Sequence, residues 1–351
     1  MTMIPPPPDA TVPNPSTESA RDPFPAFVVT TTYAGIDVGV STLTMDDLPP
    51  GEVLIEVEWS AVNFKDGMVT RPGNRVARTS PLIPGVDLVG TVVASVDADF
   101  VPGEHVIAHG YDIGVARHGG FAQFARVPAG WVVRLPEGLT PRRAAVLGTA
   151  GFTAALSIRR LELHGLRPGT GPVLVTGASG GVGGTAVALA AARGYEVVAS
   201  TGRMAERDYL VGLGATEVIS RDALVVDPQR TLGPERWSGA IDCVGGATLS
   251  AILRTLRYGA AVAASGLTGG TTVESSVYPF IVRNAALLGI DTVLTPIDER
   301  RAVWTGLAGW VPGDMVDALV AGEVNLSGLA PVLDGILNGQ IRGRMLVRPE
   351  S

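Results

Sequence analysis

The chain has 351 residues, a hydrophobic share of 46%, an aromatic share of 5% and a net charge of −7. The length favours about two domains, and the negative balance argues against a nucleic-acid partner. Cys243 is the only cysteine, which excludes an intrachain disulfide and a four-cysteine zinc lobe.

No apolar run reaches the roughly 18–20 residues of a membrane span. The N-terminus lacks a basic segment followed by an apolar one, so no secretory signal is expected and the default compartment is the cytoplasm. Positive charge is used unevenly: of 27 Lys plus Arg, Lys65 is the one lysine. That singles out a position where a compact ammonium stands in place of a planar guanidinium.

Residues 1–25, rich in Pro, Ser and Thr, read as a flexible tail. From Ala26 the pattern is β-rich. Strands are expected over Val53–Trp59, Gly85–Val93 and Gly103–Ala108. Gly and Pro turns separate them, which suggests a barrel-like domain. Near Pro141 the texture changes: Arg142–Leu156 has helical spacing, and Ala150–Arg160 continues it past Gly151.

Beyond Gly171 strands and helices alternate. Strands are expected from Val173 into the glycine-rich turn and over Glu196–Ser200, Glu217–Ser220, Gly239–Val244, Ala260–Ser265 and Ala286–Thr292. Helices are expected over Thr185–Arg193, Met204–Leu213 and Ala247–Leu256. This alternation predicts an α/β fold with a doubly wound parallel sheet. A helix over Glu299–Trp310 and a strand over Arg344–Arg348 close the chain. The expected division is a barrel-like domain from 26–147 and 295–351, and an α/β domain from 148–294.

Val173–Gly184 reads Val-Leu-Val-Thr-Gly-Ala-Ser-Gly-Gly-Val-Gly-Gly. A buried strand runs into a glycine-rich turn and then a helix. Small residues there let backbone N–H groups approach a pyrophosphate, and the helix start adds partial positive charge. Ser179, Gly180, Gly181, Val182 and Gly183 are therefore candidate dinucleotide contacts. The same letters fit a short-chain dehydrogenase signature. That family needs Tyr-x-x-x-Lys, but Ala61 stands four residues before the only lysine.

The second strand ends at Ser200, Thr201, Gly202 and Arg203 without an acid to hold a ribose 2′-hydroxyl. Ser200, Thr201, Arg203 and Arg221, after the third strand, suit a 2′-phosphate instead. The pattern favours NADPH over NADH.

A barrel-like first half, a mid-chain nucleotide domain and a returning C-terminal strand resemble the medium-chain dehydrogenase/reductase superfamily. Its zinc alcohol dehydrogenases carry Gly-His-Glu where this chain has Gly85-Val86-Asp87, so a metal-free branch is expected. Trp59–Asp66, Pro81–Asp87, Gly119–Gln123, Leu147–Thr153, Thr176–Gly183, Gly239–Gly245, Pro279–Asn284 and Gln340–Arg344 closely resemble the acrylyl-CoA reductase (NADPH) family. The likeness spans roughly residues 27–349.

The resemblance implies a GroES-like β-barrel catalytic domain beside a Rossmann domain. It implies NADPH-dependent reduction of acryloyl-CoA to propionyl-CoA without a metal, and a homodimer extended through edge strands of the nucleotide domain. Asn63, Lys65 and Asp66 match the family's Asn-Tyr-Lys-Asp motif beside the nicotinamide. Asn63 and Asp66 are expected to hold the carboxamide or ribose. Lys65 is expected to supply positive potential or to pair with Asp66. Phe64 replaces the usual Tyr, so no phenol can donate a proton here.

Thr149 is expected to face the nicotinamide. Val244, Gly245, Gly266 and Leu267 follow sheet strands at their C-terminal ends, and Arg344 is expected to return to the cofactor phosphates. Arg300 and Arg301 are candidate contacts for the anionic CoA moiety. Two alternatives stay open. One is a quinone or general enone reductase using the same hydride transfer; the other is a non-catalytic NADPH-binding protein.

Overall fold

The computed structural model describes residues 23–227 and 230–349. Most of the expected N-terminal tail lies outside the described residues. Its expected end at residue 25 is too late, because Phe24 and Pro25 already belong to strand β1 (Phe24–Thr32). Phe24 is buried and anchors an apolar cluster with Phe27, Val29 and Leu82. β1 pairs with β2 (Gly35–Leu43) as an antiparallel hairpin that was not expected from the sequence.

The first lobe continues with β3 (Val53–Ala61), helix α1 (Phe64–Met68), β4 (Asp87–Ser95), β5 (His105–His109), β6 (Phe124–Val127) and β7 (Val132–Arg134). β4 lies antiparallel to β3 and β5, and β5 lies antiparallel to β7. β6 pairs with the other edge of β3. Val53, Ile55 and Val57 alternate with half-buried Glu56 and Glu58, so one face of β3 enters the barrel-like core.

Helix α2 (Pro141–Leu163) leads to the second lobe. Thr140 caps it by accepting the Arg143 N–H, and Pro141 sits where a missing N–H costs nothing. The two expected helical stretches are one element, but it breaks at Gly148 (φ 47°, ψ −151°) and not at Gly151. A Cβ at Gly148 would overlap the Asp87 carboxylate, and this backbone conformation favours glycine.

The second lobe then alternates β8 (Val173–Thr176), α3 (Gly181–Ala192), β9 (Val197–Thr201), α4 (Arg207–Gly212), β10 (Glu217–Ser220), β11 (Gly239–Asp242), α5 (Gly246–Thr255), β12 (Ala261–Ala264), α6 (Tyr278–Arg283) and β13 (Ala286–Gly289). The sheet order is β10-β9-β8-β11-β12-β13, all parallel. This is the Rossmann order, in which the direction of winding reverses beside the first strand. Every residue of β8 is buried, as expected for a central parallel strand.

α7 (Ile297–Trp310), α8 (Gly313–Ala318), β14 (Val320–Asn325), α9 (Leu329–Leu337) and β15 (Arg344–Arg348) return the chain to the first lobe. β15 joins β3 antiparallel and β14 parallel. α8, β14 and α9 were not expected. α9 is short and carries Pro331 and Gly335 inside an apolar run, which hides its helical period. The molecule is thus α/β: a barrel-like, largely antiparallel lobe and a doubly wound parallel sheet. No helix among the described residues is long and apolar enough to cross a membrane.

Candidate active site

A cleft of about 780 Å³ opens along the C-terminal ends of the parallel strands, and the first lobe forms its other wall. That volume lies within the usual range of small-molecule sites. Its floor begins where β8 gives way to the turn Gly177–Gly180 and then α3. α3 starts four residues before the expected Thr185. Its early glycines stay helical because packing outweighs propensity: a Cβ at Gly183 would overlap the Gly177 carbonyl. Ser179, Gly180, Gly181, Val182 and Gly183 all line the cleft as expected.

The tip of β9 supplies Ser200 and Thr201, and Gly202 and Arg203 follow on the same side. Arg203 is tied down. Its guanidinium donates to Ser179 Oγ (3.0 Å), Gly339 O (2.7 Å) and Ile341 O (3.2 Å). Arg221 lies exposed at the same end, and its guanidinium makes no hydrogen bond or ion pair among the described residues. A Cβ at Gly202 would overlap it, so the glycine gives the cation its place. Val244, Gly266 and Leu267 complete the floor beyond β11 and β12.

Gly245 is a turn residue and does not line the cleft. Its N–H donates to Asp242 Oδ2 (2.7 Å), and its φ of 72° suits glycine.

The opposite wall is α1. Asn63, Phe64 and Lys65 line the cleft, but Asp66 does not. The Asp66 carboxylate is buried and accepts the N–H groups of Asn63 (2.8 Å), Gly85 (3.1 Å) and Val86 (3.0 Å). It caps the helix and fastens the turn before β4, which corrects the expectation that it holds a ribose or carboxamide. Burial raises its pKa to about 7, with Asp87 adding to the rise and the three N–H groups opposing it. The Lys65–Asp66 ion pair does not form. The Lys65 ammonium has no hydrogen bond or ion pair among the described residues.

Behind this wall Asp87 is a hub. Its carboxylate accepts Asn63 Nδ2 (2.7 Å), Thr149 N (2.7 Å), Thr149 Oγ1 (2.6 Å) and Arg344 Nη2 (3.1 Å). The break at Gly148 frees the Thr149 N–H for this bond. Thr149 therefore turns to Asp87, and Ala150 takes the expected place in the cleft lining. Arg344 reaches the cleft, yet its charge is met by Asp87. Its other donors go to Val146 O (2.8 Å), Val62 O (3.2 Å) and Asn63 Oδ1 (3.1 Å). It ties β15 to the start of α1, to β4 and to the first part of α2, which corrects its expected role as a free phosphate ligand.

Arg300 is also corrected. It is fully buried, not exposed to a CoA tail. Its guanidinium lies over the rings of Tyr111 (4.6 Å) and Phe152 (5.1 Å), and bonds His109 and Thr292 O. Trp304 donates to His109 Nε2 (2.9 Å). Burial, with Arg300 adjacent, drives the His109 pKa well below its ordinary value. Arg301 is exposed, pairs with Asp298 at 3.6 Å and lies away from the cleft.

The sequence reading missed the end of α9 and the segment after it. Ile336, Asn338, Gly339 and Ile341 line the cleft, as do Met68 and Thr248. The Asn338–Gly339 turn dipeptide before the Gln340–Arg344 motif was the available signal.

Two lobes, a glycine turn on the first Rossmann strand and a cleft between them define a dinucleotide-type oxidoreductase. The alcohol dehydrogenase GroES-like domain model matches residues 49–137, and the zinc-binding dehydrogenase model matches residues 181–307. The chain belongs to the medium-chain dehydrogenase/reductase family. Within that family it joins the branch of acrylyl-CoA reductase AcuI and the quinone-oxidoreductase-like YhfP.

YhfP of Bacillus subtilis, provisionally named a quinone oxidoreductase, is 48% identical over 313 residues, covering 89% of this chain and 95% of YhfP. Its crystal structure with NAD bound superposes with a TM-score of 0.91, covering 93% of this chain and 99% of that one. Acrylyl-CoA reductase AcuI of Ruegeria pomeroyi is 47% identical over 308 residues, 88% of this chain and 93% of AcuI. The yhdH oxidoreductase of Salmonella enterica in complex with NADP is 41% identical. It superposes with a TM-score of 0.90, covering 93% of this chain and 100% of that one. Among the described residues no three His, Cys, Asp or Glu side chains gather as metal ligands.

Proposed function

We propose that this chain reduces the activated double bond of acryloyl-CoA to give propionyl-CoA, with NADPH as the reductant. The near full-length likeness to AcuI carries the reading. The cleft residues fit the nucleotide. Backbone N–H groups at the start of α3 suit its pyrophosphate. Ser200, Thr201 and Arg221, which is unpaired among the described residues, suit its 2′-phosphate, and no acid at the tip of β9 repels that group. Arg203 contributes by holding Gly339 and Ile341 over the same end.

NADPH, when bound, supplies the hydride that reduces the β-carbon. Phe64 presents an apolar wall and has no proton to give. Asn63 and Asp66 are fixed by their own hydrogen bonds and position α1. The proton for the α-carbon then comes from water admitted to the cleft.

The second reading, a quinone or enone reductase, is favoured by the likeness to YhfP. NADPH oxidation followed with acryloyl-CoA, crotonyl-CoA and a quinone side by side separates them. The first reading expects kcat/KM for acryloyl-CoA to exceed that for the quinone at least tenfold. The reverse order favours the second, and no acceptor-dependent oxidation favours a binding protein.

A homodimer belongs to the same proposal. β13 is one of the two edges of the parallel sheet, and its Leu287 and the neighbouring Ile281 and Val282 of α6 are exposed. Sedimentation equilibrium showing a monomer at micromolar concentration would remove this part.

A further inference from the structure

Four cations line the cleft among the described residues: Lys65, Arg203, Arg221 and Arg344. Two are engaged elsewhere. Arg344 is neutralised by Asp87 (3.1 Å), and Arg203 donates to the Gly339 and Ile341 carbonyls. Lys65 and Arg221 have no hydrogen bond or ion pair among the described residues. Apart from the nucleotide pyrophosphate and the phosphates of the CoA tail, the proposed reaction presents two sites of negative charge: the 2′-phosphate and the thioester oxygen that gains charge during reduction. Arg221 follows β10, beside the tip of β9, where a 2′-phosphate lies in this sheet order. Lys65 stands on the opposite wall, in the other lobe.

We propose that Lys65 is a catalytic residue whose ammonium donates a hydrogen bond to the thioester carbonyl oxygen of the enoyl-CoA. This rests on the acyl-CoA reading. Neighbouring groups leave the task to it. Phe64 has no hydroxyl, and Asn63 Nδ2 is held by Asp87 and Ala61 O. The Asp66 carboxylate points to backbone N–H groups behind α1, so it does not neutralise the lysine beside it.

The electrons balance as follows. Hydride forms a new C–H bond at the β-carbon, the C=C pair moves to the α-carbon–carbonyl bond, and the carbonyl pair moves onto oxygen. The Lys65 N–H holds that oxygen, as preorganised donors do for developing charge. The pair then returns, and the α-carbon takes a proton from water. Lysine keeps all its protons, so one hydride and one solvent proton are consumed per turnover.

The experiment compares wild type, K65M and K65R by steady-state reduction of acryloyl-CoA and by fluorescence titration of NADPH. K65M is expected to lose about 100- to 1,000-fold in kcat, with the NADPH Kd changed less than about threefold. K65R restores much of that loss.

K65M with kcat within about threefold of wild type overturns the inference alone. A rate loss matched by lost NADPH affinity also overturns it, by making Lys65 a cofactor cation. Wild-type protein that turns over no enoyl-CoA overturns the acyl-CoA reading and the inference together. Lys65 is half-buried and has no partner among the described residues, so these variants are expected to fold normally.

Discussion

The floor built by β8, β9 and β10 leaves much of its polar surface free, whereas the wall built by β3, α1 and β4 engages nearly all of its own. On the floor, the α3 N-terminus, Ser200 and Arg221 line the cleft, and the Ser200 and Arg221 side chains have no hydrogen-bond partner among the described residues. On the wall, Asn63, Asp66, Asp87 and Arg344 satisfy one another and the backbone. The floor is thus built to bind, and the wall to hold a shape. Lys65 is the exception, a cation with no partner among the described residues, mounted on a rigid frame.

Breaking the frame gives the largest expected effect. Asp87 and Arg344 are both about 2% exposed as side chains and 3.1 Å apart. Asp87→Ala leaves Arg344 buried and unpaired and strips Thr149 and Asn63 of an acceptor. A loss of about 3–5 kcal/mol is expected, since removing one partner of a buried pair leaves an uncompensated charge. Urea unfolding measures it. Asp87→Leu combined with Arg344→Met is expected to cost less than the sum of the two single changes. Additive losses would mean the two side chains act separately.

Asp66 sharpens the comparison through pH. Its pKa is about 7 in the folded chain against 3.8 as the ordinary value. Between those values the native state holds a proton that the unfolded state has released. This group's contribution is therefore full below about pH 4 and declines as pH rises to about 7. Each unit is worth about 1.4 kcal/mol, so the stability of wild type relative to Asp66→Asn is expected to fall by roughly 2–4 kcal/mol across that window. A flat difference would show that Asp66 is ionised throughout. His109 slopes the other way. Its depressed pKa means stability is lost as pH falls below its ordinary value of 6.5.

Arg221 tests the floor. Arg221→Ala removes an exposed cation with no partner among the described residues, so stability is expected to stay within about 0.5 kcal/mol. Hydrogen bonds to charged groups contribute about 1.5–3 kcal/mol, so NADPH affinity is expected to fall roughly 10- to 100-fold. NADH affinity is expected to hold. Equal losses for both nucleotides would move Arg221 away from the 2′-phosphate.

The floor was legible because its signals are local. A strand, a turn that only small residues permit and a helix follow in a dozen positions, and the missing acid at Ser200–Arg203 needs no contact map. The wall was not. Asp66 meets Gly85 and Val86 about twenty positions on, and Arg344 meets Asp87 from 257 positions away. Side chains that looked like ligands were already committed to distant backbone. Arg300 had a readable clue. It shares one buried face of α7 with Val303, Trp304 and Leu307, at the 3, 4 and 7 spacing that marks a core stripe.

Phe64→Tyr is the mildest change and probes the wall where it lacks a donor. Phe64 is half-buried at the cleft surface, so a phenol oxygen at its edge can meet solvent or ligand without displacing the core. If water delivers the α-carbon proton, the added hydroxyl is redundant and kcat for acryloyl-CoA is expected to stay within about threefold. A solvent isotope effect unchanged from wild type would agree, since the same water would still be in flight. General acid–base groups contribute about 100-fold or more where they act. A tenfold or greater rise in kcat would therefore mean that proton delivery limits the natural chain. The rigid frame behind α1 would then be holding an incomplete acid site, with Lys65 steadying the charge but no neighbour to quench it.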